Sequence, residues 1–275
     1  AIIMSGGGMQ CAYGAGALVA LGERYALTEP DILIAPSGAA PGAAYYLAGQ
    51  YEKVSLMWMS LASDPKFISV LKRPIVDIDY LMRVLKKHIP LNMRRLASRK
   101  TRFLFPAARV RDGALVYLKA PRTPEIYAAL RATLAAPFIY GHRVKVRGSY
   151  YMDGFFGPSV HDYARHAVKM GATKIIFLVS SPDEYRGVGK AFLRTMASYG
   201  KIFKQNKSAI RQSAQALKPI TLFVPPRGVS VATVVPKKAL ALSIIGGSKL
   251  NYRTAFNAGY EDAVSNDALK NLLEN

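Results

Sequence analysis

The stretch AIIMSGGGMQ (residues 1–10) decides the fold, because a short apolar run ends abruptly in three glycines. This pattern predicts a buried strand over 1–5 that enters a tight loop, and 13–24 then has helical character. The stretch DILIAPSGAA (31–40) repeats the order, with a buried strand at 31–35 and a helix of small apolar residues at 39–50. Two strand–loop–helix units in succession predict a parallel sheet covered by helices on both faces.

The rest of the chain continues the α/β pattern. KIIFLVS (174–180) predicts a further buried strand, and 220–224 predicts another. The segments 101–109 and 115–118, separated by Asp112-Gly113, indicate a hairpin. Helices are predicted at 53–63, 80–88, 124–134, 160–170 and 188–217. No linker rich in proline, glycine or serine divides the sequence, so we expect a single domain over 1–275.

Composition excludes several classes of protein. Of the 275 residues, 51% are hydrophobic and 20% are charged, which indicates a folded chain with a large core. Cys11 is the only cysteine, so neither an internal disulfide framework nor a thiolate zinc cluster is expected. The uncharged stretches 1–22 and 32–51 approach the length of a membrane span, but their glycines and prolines favour strand–loop–helix units in a soluble core.

Positive charge dominates the sequence. It has 38 Lys and Arg against 17 Asp and Glu, and the net charge of +21 favours anionic partners. Two long zones, 83–111 and 185–260, contain basic residues and no acidic ones. Aromatic and aliphatic residues interleave the basic ones over 190–204, which predicts an amphipathic helix able to lie on an anionic membrane surface. We expect these Lys/Arg faces to bind such a surface, although a solvated face is the simpler interpretation of any single charge run.

Two further expectations concern nucleic acid and location. The sequence shows no zinc-finger spacing, RNP-like aromatic strand or basic helix–turn–helix signature, so no specific nucleic-acid binding is expected. No basic segment precedes residue 1, so a signal peptide is not visible, although a leader removed before Ala1 would permit secretion. We therefore expect a cytoplasmic or peripheral membrane protein.

Three segments carry groups suited to chemistry. Gly6-Gly7-Gly8-Met9 follows the first strand and opens a helix, so its N–H groups can cradle a phosphate or a developing oxyanion. Ser37 stands at the turn from the second strand to its helix, which is the position of a nucleophile elbow. Asp153 follows a predicted strand and precedes Gly154. Taken singly, a glycine run, a loop serine and an Asp-Gly turn are each common structural features.

The elbow sequence Ala35-Pro36-Ser37-Gly38-Ala39 differs from the usual Gly-x-Ser-x-Gly. The residues two before and two after the serine must be small so that the backbones can pass, and Ala35 and Ala39 each add one methyl group. If either alanine needs a positive φ, it costs about 1–2 kcal/mol. Pro36 lacks an N–H and ends the strand ladder at the elbow.

In this order, the oxyanion glycines, the elbow serine and the late Asp-Gly resemble the patatin-like phospholipase family. The resemblance covers nearly the whole chain. It includes ATLAAP (132–137), similar to the small-residue helix and proline before the family's catalytic aspartate, and the helix predicted around NAGYEDA (257–263). The stretch 80–118 further resembles bacterial members of the family.

The resemblance implies a three-layer α/β/α sandwich with a mostly parallel central sheet and a Ser–Asp dyad without a histidine. Ser37 is then the nucleophile and Asp153 the general base of a Ca²⁺-independent hydrolase that acts through an acyl-serine intermediate. The resemblance places four residues at the oxyanion hole: Gly6, Gly7, Gly8 and Met9. It places four more around the elbow and the aspartate: Ala35, Gly38, Ala39 and Gly154. It implies a phospholipid or another acyl ester as substrate, and neither a metal nor a cofactor.

Four features depart from the family pattern. Alanines flank the elbow serine, Gln10 stands where a basic residue is usual, and Cys11 stands where glycine is usual. Phe155 replaces the second glycine of the common Asp-Gly-Gly. A catalytically impaired pseudoenzyme that binds anionic lipids is therefore an alternative.

Two other kinds of site are compatible with parts of the pattern. A Ser–Asp–His esterase would use His161 or His166, which follow Asp153 in the chain order of α/β-hydrolases. A dinucleotide site fits less well, because 6–11 lacks the sixth-position glycine and no acidic residue ends the second strand. A P-loop is excluded, since no Gly-Lys-Ser/Thr follows the glycines.

Overall fold

A computed structural model describes residues 1–120, 123–137, 139–154, 160–181 and 223–274 of the chain. The strands are β1 (Ile2–Met4), β2 (Ile32–Ile34), β3 (Arg102–Arg109), β4 (Leu115–Lys119), β5 (Val144–Val146), β6 (Ser149–Asp153), β7 (Lys174–Leu178) and β8 (Ser230–Val234). The helices are α1 (Cys11–Arg24), α2 (Ala39–Leu47), α3 (Tyr51–Leu56), α4 (Ile78–Lys87), α5 (Met93–Ser98), α6 (Ile126–Leu134), α7 (Val160–Lys169), α8 (Lys249–Val264) and α9 (Asp267–Glu274). A 3₁₀ turn at Gly8–Gln10 leads into α1, and a π-helical segment at Met57–Leu61 extends α3.

Within these residues the strands form one eight-stranded sheet in the order β5-β6-β3-β2-β1-β7-β8, with β4 also paired to β3. The central strands β3, β2, β1, β7 and β8 run parallel to one another. At one side, β3 pairs antiparallel with β4 and β6, and β6 pairs antiparallel with β5. The predicted α/β class, with a mostly parallel central sheet flanked by helices, is confirmed.

The two motif-bearing loops follow neighbouring strands at the middle of the sheet. Every residue of β1 and β2 is buried and apolar, as expected for strands covered on both faces. Ile2 pairs with Leu33 and Ile3 with Ile34, so both strands end at the same level. The loops at 5–10 and 35–38 therefore lie side by side at the carboxyl edge of the sheet, which is where open α/β sheets bind ligands.

Apolar side chains fill both faces of the sheet. The larger core packs α1, α2 and α8 against one face and includes the buried Tyr13, Tyr45 and Tyr252. The smaller core packs α7 against residues such as Ile34 and Phe177 on the other face. Among the described residues, no helix combines the length and the apolar character needed to span a bilayer.

The structure differs from the sequence prediction in several elements. The helix predicted at 39–50 ends at Leu47. The strand predicted at 220–224 is wrong in its described part, because Phe223 and Val224 are outside any strand and β8 is the partner of β7. Phe223 packs its ring against Phe177 instead, with 5.4 Å between ring centroids. The elements β5, β8, α5 and α9 were not predicted, and the amphipathic helix predicted at 188–217 lies outside the described residues.

Candidate active site

Ser37 occupies a strained turn between β2 and α2. Its φ is +48°, a left-handed conformation that costs a residue with a side chain about 1–3 kcal/mol. The turn is closed by Ala39 N–H donating to the Pro36 carbonyl at 3.1 Å and Ala40 N–H donating to the Ser37 carbonyl at 3.0 Å. Ala35 and Ala39 are buried and have no positive φ, so the strain falls on the serine and not on the alanines that flank it.

Asp153 meets Ser37 at the end of β6. The Ser37 Oγ donates a hydrogen bond to Asp153 Oδ2 at 2.6 Å, across 116 positions of sequence. This length is typical of a hydroxyl bonded to an ionised carboxylate. The carboxylate is only 2% exposed, and the Asp153 N–H donates to the Ala135 carbonyl at 3.0 Å, which fixes the backbone of the aspartate to the end of α6.

Thr133 holds the backbone of the elbow. Its Oγ1 accepts a hydrogen bond from Ser37 N–H at 3.1 Å and donates one to the Pro106 carbonyl at 2.6 Å. Thr133 is fully buried, so this one hydroxyl satisfies two groups that water cannot reach. Thr133 belongs to the ATLAAP segment, but nothing in its sequence pattern indicates a role; only the fold shows that α6 orients both Ser37 and Asp153.

The glycine loop lies directly against the elbow. Gly7 and Gly8 have φ values of +134° and +56°, which only glycine adopts at low cost. A Cβ on Gly38 would lie 2.4 Å from the Gly8 carbonyl oxygen, so the elbow glycine serves close approach. A Cβ on Gly6 would make only an ordinary 3.7 Å contact with Ser37 Cβ. The loop and the elbow are thus packed backbone against backbone.

Only part of the loop has free amides. Met9 N–H donates to the Ile244 carbonyl at 3.1 Å, so this amide is already engaged. The amides of Gly7 and Gly8 make no hydrogen bond to any described residue. Gly8 also lines the same cavity as Ser37 and Asp153. Unlike Met9, Gly7 and Gly8 therefore keep unengaged N–H groups in the loop that packs against the elbow.

The segment 242–247 closes over the glycine loop, and no sequence motif indicated it. The Gln10 Nε2 donates to the Leu242 carbonyl at 3.0 Å, which gives this departure from the family pattern a structural role. A Cβ on Gly8 would lie 2.2 Å from the Ile244 carbonyl oxygen. The segment is itself folded back, with Ser243 Oγ donating to the Gly246 carbonyl at 2.8 Å.

A cavity of about 420 Å³ opens above the serine. Its walls are mainly aliphatic and aromatic side chains from the segments 67–78, 134–140 and 243–245. Ser37 and Asp153 line the cavity together with Gly8 and Gly38, and its volume is in the range of small-molecule sites. Gly154 is buried against the backbone of Pro106 and Ala107.

No histidine lines this cavity in the part of the chain that the structure describes. His161 faces the ring of Phe223, and His166 stacks on Tyr117 with 3.8 Å between centroids. The geometry brings Asp153 directly to Ser37, without an intervening imidazole. A Ser–Asp–His arrangement that uses His161 or His166 therefore has no support here.

Cys11 is buried beside the elbow and is not a second nucleophile. Burial, together with a smaller contribution from the nearby Asp153 carboxylate, raises the pKa of its thiol to about 12. The thiol is therefore protonated at neutral pH, whereas nucleophilic attack needs a thiolate. The described residues contain no group of three or more His, Cys, Asp or Glu side chains placed to hold a metal ion.

Comparison with known proteins places this geometry in context. The family model for patatin-like phospholipase matches residues 2–159, more than half of the chain. The matched span contains the glycine loop, Ser37, Thr133 and Asp153, but not the segment 242–247. A search of curated proteins gives no match.

Proposed function

Because this chain belongs to the patatin-like phospholipase family and is therefore a lipid acyl hydrolase in general, we propose that Ser37 and Asp153 form its catalytic dyad. The observation that carries the proposal is the 2.6 Å hydrogen bond between the two side chains inside an apolar cavity. A serine hydroxyl is a weak nucleophile, and a carboxylate within hydrogen-bond reach can take its proton as it attacks.

The proposed reaction has two steps. Ser37 Oγ attacks the ester carbonyl while Asp153 takes the hydroxyl proton, and the tetrahedral oxyanion is stabilised by the amides of Gly7 and Gly8. Asp153 then gives the proton to the leaving alcohol, which departs and leaves an acyl-serine. Asp153 next removes a proton from water, which attacks the acyl-serine; as the bond to Ser37 Oγ breaks, Asp153 returns this proton to Ser37 Oγ and the fatty acid is released. One oxyanion donor is worth about 3–4 kcal/mol of the barrier.

The proposed substrate is a phospholipid or another fatty-acyl ester at an anionic membrane surface. The apolar walls of the 420 Å³ cavity suit an acyl chain, whose transfer from water is favourable by about 0.8 kcal/mol per buried CH₂. The net charge of +21 favours an anionic surface over a neutral one.

A fluorophosphonate probe tests the assignment of Ser37. We expect the wild-type protein to be labelled, and Ser37→Ala to abolish labelling. Ser243 lies in the same cavity and offers a matched control, so Ser243→Ala should remain labelled. Labelling that survives in Ser37→Ala would remove Ser37 from the mechanism.

Hydrolysis of a soluble p-nitrophenyl ester tests Asp153. Asp153→Asn keeps the shape of the side chain but removes the base, so turnover should fall by about 100- to 10,000-fold. A wild-type protein that is neither labelled nor active, but that still binds lipid, would instead be the pseudoenzyme that the alanine-flanked elbow left open.

A further inference from the structure

A short arm formed by residues 67–77 rises from the wall of the cavity. Ile68 and Val76 form an antiparallel bridge, and Asp77 N–H donates to the Phe67 carbonyl at 2.8 Å. Ser69 N–H donates to the Ile75 carbonyl at 2.9 Å, so the two sides of the arm are joined up to its tip at 70–74. Phe67 and Val76 are buried at the base. The arm is thus anchored at the cavity and presents its tip outward.

The tip exposes two aliphatic side chains to solvent. Leu71 is 93% exposed and Val70 is 61% exposed. Adjacent aliphatic residues held outward on an ordered turn indicate a contact site rather than a core position. Lys72 and Arg73 follow them directly and are also exposed.

Beside the tip lies an open, basic pocket of about 300 Å³. Lys66, Lys72, Arg73 and Arg83 line it, against one carboxylate, Asp77. Asp77 caps α4 by accepting a hydrogen bond from the Tyr80 N–H, and its Oδ2 lies 3.8 Å from Arg83 Nη2. Among the described residues, Lys66, Lys72 and Arg73 form no ion pair. The Asp64 carboxylate accepts a hydrogen bond from the Tyr80 hydroxyl and interacts electrostatically with Lys66 and Lys72. Four cations against the two carboxylates of Asp64 and Asp77 leave the pocket with a net positive charge.

The basic pocket and the apolar cavity share a wall. Phe67 and Ile75 line both, so the cationic groups lie next to the space proposed for the acyl chain. The exposed aliphatic tip suits the apolar interior of a bilayer, and the cations beside it suit the phosphate headgroups that cover this interior. The apolar cavity then opens next to the cations. Nucleic acid would match the cations but not the exposed Leu71 and Val70, and an acidic protein would not account for the apolar cavity that opens beside the cations.

We propose that the arm is the element that docks the cavity on an anionic phospholipid bilayer. Leu71 and Val70 enter the interface, while Lys66, Lys72, Arg73 and Arg83 bind phosphates of the headgroups. The role assigned to the cavity rests on the proposed function, but the docking itself does not require turnover. A lipid at this surface passes from the bilayer past Phe67 and Ile75 into the cavity.

Binding to sedimented vesicles tests the basic residues. All proteins carry Ser37→Ala, so lipid is not consumed, and the vesicles contain phosphatidylcholine with or without phosphatidylglycerol. Lys72→Gln/Arg73→Gln should bind the anionic vesicles about 30-fold more weakly, because each basic residue near the surface contributes about 1 kcal/mol. The matched control is Arg102→Gln/Lys174→Gln, which removes the same charge from exposed first residues of β3 and β7 at the opposite edge of the sheet. This control should retain binding within about twofold, because the distant charges are screened.

Fluorescence tests the aliphatic tip. Trp58 is the only native tryptophan and is buried, so it gives a constant background. Leu71→Trp should shift its emission to the blue on anionic vesicles, and Leu71→Ser should bind them about tenfold more weakly. Val224→Trp and Val224→Ser are the controls. Val224 is 84% exposed and precedes β8, the last strand of the sheet on the side opposite β5. Val224→Trp should show no blue shift on anionic vesicles, and Val224→Ser should bind them as strongly as the parent protein.

Three results would overturn the proposal. If Lys72→Gln/Arg73→Gln and Arg102→Gln/Lys174→Gln weaken vesicle binding equally, only the net charge of the protein matters and the arm has no particular role. Unchanged vesicle binding by Leu71→Ser, together with no blue shift in Leu71→Trp, would remove the tip from the interface. Stronger loss of duplex DNA binding than of vesicle binding in Lys72→Gln/Arg73→Gln would identify a nucleic-acid site. Each outcome is independent of the labelling of Ser37, so docking and catalysis are tested separately.

Discussion

Two turns follow adjacent strands of the sheet, and they handle unfavourable backbone conformations differently. After β1, the left-handed positions are occupied by glycines, Gly7 and Gly8. After β2, the left-handed position is Ser37 itself, with a φ of +48°, while Gly38 has an ordinary φ of −54°. Glycine lets the first loop pack its backbone closely against the elbow, whereas in the second turn the strain falls on the serine that we propose as the nucleophile.

The strain in the second turn is held by its neighbours. Thr133 binds the Ser37 N–H and Asp153 binds the Ser37 Oγ, so both polar groups of the serine are fixed in the strained geometry. The first turn is held by the segment 242–247, whose Ile244 and Leu242 carbonyls accept hydrogen bonds from the Met9 N–H and the Gln10 side chain. Substitutions in the two turns should therefore lower the free energy of unfolding and the turnover by different amounts.

The largest effect is expected for Gly8→Ala. The new Cβ would lie 2.2 Å from the Ile244 carbonyl oxygen at a φ of +56°. Left-handed alanine costs about 1–2 kcal/mol and overpacking about 1–3 kcal/mol, so unfolding in urea should show a loss of about 3 kcal/mol. Displacing this amide should also reduce ester turnover by at least about 100-fold.

Gly6→Ala is the matched control for stability. Gly6 has no positive φ, and its Cβ would only touch Ser37 Cβ at 3.7 Å. Its free energy of unfolding should stay within about 0.5–1 kcal/mol of wild type. Equal losses in the two variants would show that the loop is not constrained at Gly8 in particular.

Thr133→Val is expected to have the next largest effect. Valine has the shape of threonine but leaves the Ser37 N–H and the Pro106 carbonyl without their partner. Leaving buried groups unsatisfied costs about 1–3 kcal/mol. We also expect kcat to fall more than KM changes, because the elbow and not the apolar cavity is disturbed.

Thr133→Ser provides the control, since it keeps the hydroxyl and loses one methyl group. It should restore most of kcat. If Thr133→Ser and Thr133→Val lose kcat equally, the methyl packing of Thr133 and not its hydrogen bonds supports Ser37.

Ser37→Gly and Ser37→Ala together measure the strain of the second turn. Both remove the hydrogen bond to Asp153, so their difference isolates the left-handed backbone. Ser37→Gly should unfold with a free energy about 1 kcal/mol higher than that of Ser37→Ala, because glycine adopts this φ at little cost. Equal stabilities in chemical denaturation would mean that the turn relaxes when the serine hydroxyl is lost.

The sequence predicts the first strands and their loops because their signals are local. Apolar runs ended by glycines identify β1 and β2, and parallel pairing then requires that their loops be neighbours. The helix α1 starts at Cys11, two residues before the predicted start at Tyr13, and ends at Arg24 as predicted. The family resemblance supplies Asp153, whose partner lies 116 positions away and could not be inferred from spacing alone.

The rest of the site depends on contacts between distant segments. The positions of Thr133 under the elbow and of 242–247 over the glycine loop are set by how α6 and the chain before α8 pack, for which no local pattern exists. The misplaced strand at 220–224 has a similar cause. Phe223 belongs to the core through its ring contact with Phe177, and an apolar residue in a loop has the same signal as one in a strand.

The smallest effect is expected for Gln10→Met, which tests the link between the first turn and 242–247. Methionine keeps the length of glutamine but cannot donate to the Leu242 carbonyl, and one neutral hydrogen bond contributes about 0.5–1.5 kcal/mol. Because Gln10 is partly exposed, water replaces part of this bond, and we expect a loss near the lower limit in urea unfolding. Gln10→Arg retains a donor at the same place and should keep wild-type stability. If Gln10→Arg is as unstable as Gln10→Met, the glutamine acts through its shape, and 242–247 is held on the first turn by the Met9–Ile244 bond alone.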